Sequence, residues 1–234
     1  MRSTKLIVIP VLVALAAALL ASPAAAQTYI ALRYWPSQTN VSLSGAPGFR
    51  AYDSNLISLS VRRMLPQAPW SLSLNLDTGS NANLAGTWTG GTNSGTTYWN
   101  ANLHRDFRGE NTNLSVFLGY QSARTRTTFG TEQASSVNGL RAGADLLWRR
   151  GAWSVMAWGA VGLSPRGETT QPGFASASGT GTYSEYGAIL GYTISGWGVE
   201  AGYRWLNFGV PGGGSFLPAT FRTSGFTVGL SRSW

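Results

Sequence analysis

Apolar residues alternate with small or polar residues along most of the chain beyond residue 26. The segment WSLSLNLD, residues 70–77, puts tryptophan and leucine on one side and serine, asparagine and aspartate on the other. A period of two predicts β-strands with two different faces. Ten such runs can be read, at residues 29–35, 55–63, 70–77, 97–105, 113–121, 138–148, 152–163, 182–194, 198–206 and 222–234.

The composition of the two faces indicates strands that cross a membrane. The non-apolar face consists mainly of Gly, Ser, Asn and Thr, whereas a strand facing water usually carries Lys and Glu. The apolar face carries aromatic residues near the ends of the runs, as transmembrane barrels do at both membrane interfaces. The predicted aromatic girdle comprises Trp70, Trp99, Trp148, Trp153, Trp205 and Trp234.

The predicted fold class is all-β: a transmembrane antiparallel up-and-down β-barrel of about ten strands, with eight or twelve as alternatives. Short connections at residues 64–69, 106–112, 149–151 and 195–197 alternate with long ones. The long connections cover residues 36–54, 78–96, 122–137, 164–181 and 207–221. This asymmetry predicts short periplasmic turns, long extracellular loops and two periplasmic termini.

The first 26 residues have the pattern of a cleaved secretory signal peptide. Arg2 and Lys5 precede an apolar stretch at residues 6–20, and Ala24 and Ala26 fit a small-residue cleavage site. The apolar stretch is short for a membrane-spanning helix, which is the alternative interpretation. Residues 27–234 are predicted to form a single barrel domain. Without Arg2 and Lys5, 15 arginines face 9 acidic residues, a net charge of +6.

Charged residues at inward positions are predicted to form a salt-bridged network inside the barrel, because charges in a narrow lumen need partners. The network comprises Arg33, Arg62, Arg141, Asp145, Glu185, Glu200 and Arg204. Strand direction places Arg33, Arg141, Glu185 and Arg204 in the outer half, and Arg62, His104, Asp145 and Glu200 in the inner half. Glu185 and Arg204 lie on neighbouring strands within one diagonal step, so this pair is the most direct prediction.

No catalytic residue, metal ligand or cofactor is assigned from the sequence. The absence of Cys excludes disulfides, thiol catalysis and Cys-ligated zinc. His104 and Asp106 share one strand face, but omptin-type proteases have the order Asp-x-His near the extracellular rim. Lipid A-modifying barrels use a His with a Ser. A structural role is therefore predicted for His104. The G-x-G-x-x-A match at residues 196–201 is followed by a strand, so it predicts a hairpin turn.

Arginines concentrate in the predicted outer loops, at Arg50, Arg124, Arg126, Arg166 and Arg222. They are interpreted as ordinary solvated charge or as contacts for the phosphates of lipopolysaccharide or a polyanionic host surface. The chain has no aromatic and basic platform for nucleic acid, so no nucleic-acid partner is expected.

The signal peptide, the ten alternating runs, the aromatic girdle and the terminal aromatic residue together resemble the small, porin-like outer-membrane β-barrel proteins of Gram-negative bacteria. The resemblance implies that the barrel-assembly machinery recognises the last strand, where Phe226, Val228, Leu230 and Trp234 fit and Arg232 departs from the usual apolar residue. It also implies outer-membrane lipid and lipopolysaccharide as surroundings. The expected function is a non-enzymatic structural or surface-interaction role through extracellular loops. The alternatives are a narrow channel for ions or small solutes and a barrel enzyme acting as a protease or on lipid A.

Overall fold

Long antiparallel strands make up most of the chain in the computed structural model, which describes residues 27–44, 49–65, 68–85, 94–129 and 131–234. The predicted signal peptide lies outside these residues. No helix long and apolar enough to span a membrane occurs within the described ranges. The strands are β1 Thr28–Leu43, β2 Phe49–Met64, β3 Trp70–Ala85, β4 Ser94–Arg108, β5 Thr112–Phe129, β6 Thr131–Arg150, β7 Trp153–Thr170, β8 Ala177–Thr180, β9 Thr182–Ile194, β10 Trp197–Val210 and β11 Ala219–Ser233.

The sheet closes on itself as a barrel. Each long strand pairs antiparallel with its neighbour in sequence, apart from the short β8, and β11 pairs with β1. The register of the closing pair places Leu32 opposite Leu230 and Tyr29 opposite Ser233. The short β8 pairs with β7, so ten strands form the wall. The predicted up-and-down barrel and its strand number are thereby confirmed, as is the pairing of the first strand with the last.

Strands extend further than the alternating runs predict, mainly at one end. We call this end of the barrel the loop end. The opposite end, where β1 begins and β11 ends, is called the terminal end. β1 continues from Trp35 to Leu43, and only residue 130 separates β5 from β6. Much of the predicted long loops at 36–54 and 122–137 is therefore strand. The apolar alternation disappears there because outward positions become polar: Arg124 and Arg126 stand where Leu118 and Tyr120 stand lower on β5.

The outer face of the barrel is apolar. Leu32, Val199, Phe226 and Leu230 are 56–69% exposed, and their neighbours on the same face are similar. A continuous belt of exposed apolar side chains is unfavourable in water and suits contact with lipid. Because every strand pairs on both edges around the wall, the backbone satisfies its hydrogen bonds internally, as a membrane interior requires.

Tight turns close the strands at the terminal end. Ser195 and Gly196, with φ of 51° and 81°, form the two-residue turn between β9 and β10. Two successive positive φ values match the primed turns that fit the twist of a hairpin. The predicted hairpin turn at this glycine-rich segment is confirmed. Gly187 has a different role, since an added Cβ there would lie 2.6 Å from the Trp158 ring and push it from the lumen.

Candidate functional site

Apolar and aromatic side chains fill the part of the lumen near the loop end. None of them is more than 7% exposed. We call the set the plug: Trp35, Val41, Tyr52, Leu56, Tyr98, Ala123, Val137, Tyr183, Leu206, Phe208, Val210, Ala219 and Phe221. The sequence predicts a polar interior throughout, so the plug is a correction. It was missed because many of its members lie at inward positions of the strand extensions, beyond the alternating runs.

Aromatic packing holds the plug together. The Tyr98 ring lies between Trp35 and Phe208, with centroid distances of 6.4 and 6.2 Å. Phe208 stacks on Phe221 with centroids 4.6 Å apart and ring planes 11° apart. The Tyr98 hydroxyl is hydrogen-bonded to Thr223 Oγ1 at 3.2 Å, so its polar atom is satisfied inside the apolar cluster. The plug is a packed core rather than a loose constriction.

The rest of the lumen, toward the terminal end, contains a cavity of about 460 Å³. Its lining starts at Gln27, Gly151, Gly196 and Trp234 and reaches Trp35, which belongs to the plug. We call this cavity the chamber. Serine, asparagine and paired arginine side chains form much of its wall. The barrel interior therefore has two parts, a packed plug and a chamber that contains the charged side chains together with apolar ones.

Arg204 anchors a buried ion cluster at the boundary between plug and chamber. Its guanidinium contacts Asp77 Oδ2 and Glu185 Oε1, each at 2.8 Å, and Arg141 contacts the other oxygen of Glu185 at 3.1 Å. Its Cζ lies 4.5 Å from the Trp35 ring centroid. The predicted Glu185–Arg204 pair is thus in direct contact, and Arg204 connects the ion cluster to the plug.

Arg33 and Glu200 form a second pair within the chamber, 2.7 Å apart. Tyr29 donates its hydroxyl hydrogen to Glu200, and Arg33 donates to Ser60 Oγ at 2.9 Å. The sequence places Arg33 in the outer half and Glu200 in the inner half, and for Arg33 this is wrong. Because β1 runs from Thr28 to Leu43, Arg33 falls in the half of the strand nearer the terminal end.

A third cluster surrounds Arg62 and His104. Arg62 contacts Asp106 Oδ1 at 2.6 Å and Asp145 Oδ1 at 2.9 Å. The other oxygen of Asp145 lies 3.1 Å from His104 Nδ1, and His104 Nε2 is hydrogen-bonded to Ser73 Oγ at 2.8 Å. The carboxylate facing His104 is therefore Asp145 from β6, and Asp106 from its own strand pairs with Arg62 instead.

The predicted network left out two acidic members of these clusters, Asp77 and Asp106, and it also left out Ser73. The alternation already places Ser73 and Asp77 opposite leucines in WSLSLNLD, so parity alone could have included them. Their partners could not be read, because those lie on strands far apart in sequence. No group of three or more His, Cys, Asp or Glu side chains suited to a metal ion occurs within the described ranges.

The predicted girdle residues all lie on the outer face. Trp70, Trp148, Trp153 and Trp234 lie at the terminal end, and Trp99 and Trp205 lie nearer the middle of their strands. Their exposed fractions are 36–53%, apart from the half-buried Trp99, whose ring packs 5.7 Å from that of Tyr120. Trp99 and Trp205 therefore lie nearer the terminal end than the strand extensions do, and not at the tips of those extensions.

The last strand presents Phe226, Val228 and Leu230 outward, each at least 50% exposed. Arg232 occupies the next outward position. Its Cζ lies 4.7 Å from the Trp197 ring centroid and 5.6 Å from that of Trp234. Stacking between two indole rings accounts for an arginine at a position that is commonly apolar.

The arginines predicted in outer loops lie on strands. Arg124, Arg166 and Arg222 are exposed on β5, β7 and β11. Arg126 lies 3.5 Å from Glu132 across the β5–β6 hairpin. Arg50 belongs to β2. The exposed Arg124, Arg166 and Arg222 therefore project from the barrel wall near the loop end.

The fold has counterparts among solved structures. The outer membrane protease OmpT from Escherichia coli superimposes with a TM-score of 0.61 at 12% identity, over 91% of this chain and 98% of OmpT. This is the fold of an outer-membrane β-barrel. The attachment invasion locus protein Ail of Yersinia pestis aligns with a TM-score of 0.41 at 12% identity, over 90% of this chain and 100% of Ail. The translocator domain of the autotransporter NalP from Neisseria meningitidis gives 0.45 at 12%, over 95% and 93%. No family model matches the sequence, and no curated protein matches it significantly.

Proposed function

We propose that the protein is an integral outer-membrane β-barrel with a closed lumen, which serves a structural or surface-interaction role. The apolar outer face and the fold support insertion in the outer membrane. The predicted signal peptide would direct export, and the two termini would then lie in the periplasm, as in barrels with short turns at that side. The loop end would project from the cell.

The plug is the observation that carries this proposal. Trp35, Leu206 and Phe208 are fully buried across the lumen, and Tyr98 is 2% exposed among them. A hydrated ion would have to displace packed apolar side chains and leave its water shell to cross this layer. A closed barrel is therefore favoured over the narrow channel.

The strand extensions supply the surface through which the protein would act. Arg124, Arg166 and Arg222 are exposed there. Arg222 lines a shallow outer groove together with Trp205 and Tyr186. Guanidinium groups bind phosphate oxygens in bidentate fashion, so we assign the phosphates of lipopolysaccharide as the surrounding anionic partner.

Single-channel recording in planar bilayers tests the closed lumen. The refolded barrel should insert without discrete current steps. The triple variant Tyr98→Ala/Phe208→Ala/Phe221→Ala removes three plug rings and should show steps, because water can then fill the lumen from the chamber to the loop end. Both proteins should first show the heat-modifiable gel mobility of folded barrels.

The matched control replaces aromatic residues of the outer face. Trp205→Ala/Phe226→Ala also removes large rings, but these face lipid and leave the plug intact. This variant should be as silent as the parent protein. Reproducible current steps from the folded parent protein would overturn the closed barrel and restore the channel.

A further inference from the structure

Three side chains in the chamber have the arrangement of a nucleophile, a base and an acid that orients the base. Ser73, His104 and Asp145 project inward from β3, β4 and β6. Ser73 Oγ lies 2.8 Å from His104 Nε2, and His104 Nδ1 lies 3.1 Å from Asp145 Oδ2. Serine on Nε2 and carboxylate on Nδ1 is the order found in serine hydrolases, which are recognised by geometry and not by sequence position.

The surroundings hold each member in place. Arg62 binds Oδ1 of Asp145 at 2.9 Å, which leaves Oδ2 to face the imidazole. The Phe117 ring packs 4.9 Å from the His104 ring. The Nδ1 contact is at ion-pair distance without an aligned hydrogen bond. Such contacts are often loose in ligand-free enzymes and tighten when substrate binds.

The chamber provides room and a hydrogen-bond donor beside the serine. Asn102 Nδ2 donates to Ser73 Oγ at 3.0 Å, which fixes the position of the hydroxyl oxygen and leaves its hydrogen to point at His104 Nε2. Leu147, Met156 and Ile189, on β6, β7 and β9, add apolar surface to the chamber. A cavity of about 460 Å³ accommodates a small organic ester.

The geometry points to a hydrolytic site for small carboxylic esters that enter the chamber from the terminal end. This hydrolytic activity is separate from the proposal of a closed lumen, and it does not require that the barrel conduct ions. Ser73 Oγ forms a bond to the ester carbonyl carbon while its proton passes to His104 Nε2. His104 then gives this proton to the leaving alkoxide as the ester C–O bond breaks. Water then attacks the carbonyl carbon of the acyl-serine, and His104 takes a proton from the water and returns it to Ser73 Oγ as the carboxylic acid leaves. The reaction needs no reactant other than the ester and water.

Covalent labelling with a small dialkyl fluorophosphate tests the nucleophile in the folded full-length barrel. A bond forms between Ser73 Oγ and phosphorus, the P–F bond breaks and fluoride leaves, while the serine proton passes to His104. Mass spectrometry should find the adduct on Ser73. His104→Gln should slow labelling by about 100-fold, the usual contribution of a general base. Ser154→Ala should label Ser73 normally, because Ser154 lines the same chamber on β7 away from the histidine.

Hydrolysis of p-nitrophenyl acetate provides the second measurement. Ser73→Ala should abolish turnover above that of a denatured sample, and it removes only one hydroxyl, so the barrel should keep its heat-modifiable mobility. If His104→Gln fails to fold, the Ser73→Ala variant alone decides the test. The proposal is overturned if the folded barrel carries no adduct on Ser73, if other serines label as fast, or if Ser73→Ala hydrolyses the ester at the parent rate.

Discussion

The two parts of the lumen are lined by inward positions of the same strands, but the side chains at the two ends differ in chemistry. Near the loop end, the inward residues include Trp, Tyr, Leu and Phe, and they pack as a core together with buried threonines. Near the terminal end they include the paired Arg, Asp and Glu side chains, with Ser, Asn and some apolar residues, and they leave a cavity. The outer face shows no such division within its apolar belt. The closed wall is thus compatible with either interior, and the interior determines what the barrel can do.

The plug and the chamber also stabilise the narrow barrel in different ways. The plug excludes water and gains from dispersion and burial, as a soluble core does. The chamber relies on ion pairs, whose attraction must offset the desolvation of both partners. Arg204 belongs to both, since it pairs with Asp77 and Glu185 and stacks on Trp35.

The largest loss of stability is therefore expected for Arg204→Ala. The change leaves Asp77 without its cation and removes the shorter of the two guanidinium contacts to Glu185, while both carboxylates stay buried. Removing one partner of a buried pair costs about 3–5 kcal/mol. Urea unfolding of the barrel in detergent micelles, followed by tryptophan fluorescence, measures the free energy of unfolding.

Arg126→Ala is the control for this change. Arg126 also has a carboxylate partner, Glu132, but the pair is 3.5 Å apart and half exposed, so the cost should stay below about 1 kcal/mol. An unchanged unfolding midpoint for Arg204→Ala would mean that the chamber ions do not stabilise the barrel.

Phe208→Ala is expected to have the next largest effect. Phe208 is fully buried and contacts Tyr98 and Phe221, so truncation leaves a void in the plug and costs about 3 kcal/mol. Phe226→Ala removes the same side chain from the outer face, where detergent or lipid can fill the space, and should cost less. Equal losses for the two variants, measured by the same unfolding experiment, would show that the plug is not packed as a core.

Much of the fold could be predicted because a lipid-facing strand imposes a strict pattern. Alternation identified ten strands, their antiparallel order and the closure of the last strand on the first. Strand ends at the loop end could not be read, since a strand that leaves the membrane no longer needs apolar outward residues. Trp35 illustrates this limit, as it was placed at the end of a run and lies near the middle of β1.

The interior was less predictable than the wall. Parity shows that a side chain points inward, but it does not show which side chains meet across the lumen. His104 and Asp145 lie on β4 and β6, separated by β5, and they meet only because the wall curves. The plug likewise joins residues from strands on opposite sides of the barrel. Contacts of this kind depend on barrel radius and register, which a single sequence does not display.

A small effect on stability is expected for deletion of Trp234, which lies at the terminal end and belongs neither to the plug nor to the ion clusters of the chamber. Its backbone N–H and C=O pair with Thr28 at 3.2 and 3.0 Å, so deletion removes two hydrogen bonds at a strand end. Net losses of this kind are about 1 kcal/mol. Assembly in cells should suffer far more, because the resemblance to outer-membrane barrels implies that the terminal aromatic residue is recognised before the barrel closes.

The fraction of heat-modifiable barrel in cell envelopes measures assembly, and urea unfolding of refolded protein measures stability. Trp197→Ala is the matched control, because Trp197 lies at the same end and also stacks on Arg232, but belongs to β10. If Trp197→Ala assembles normally and the truncated chain does not, the position of Trp234 at the end of the last strand is what matters. If both variants fail equally, the stack around Arg232 is the required feature, and if both assemble normally, recognition of Trp234 is wrong.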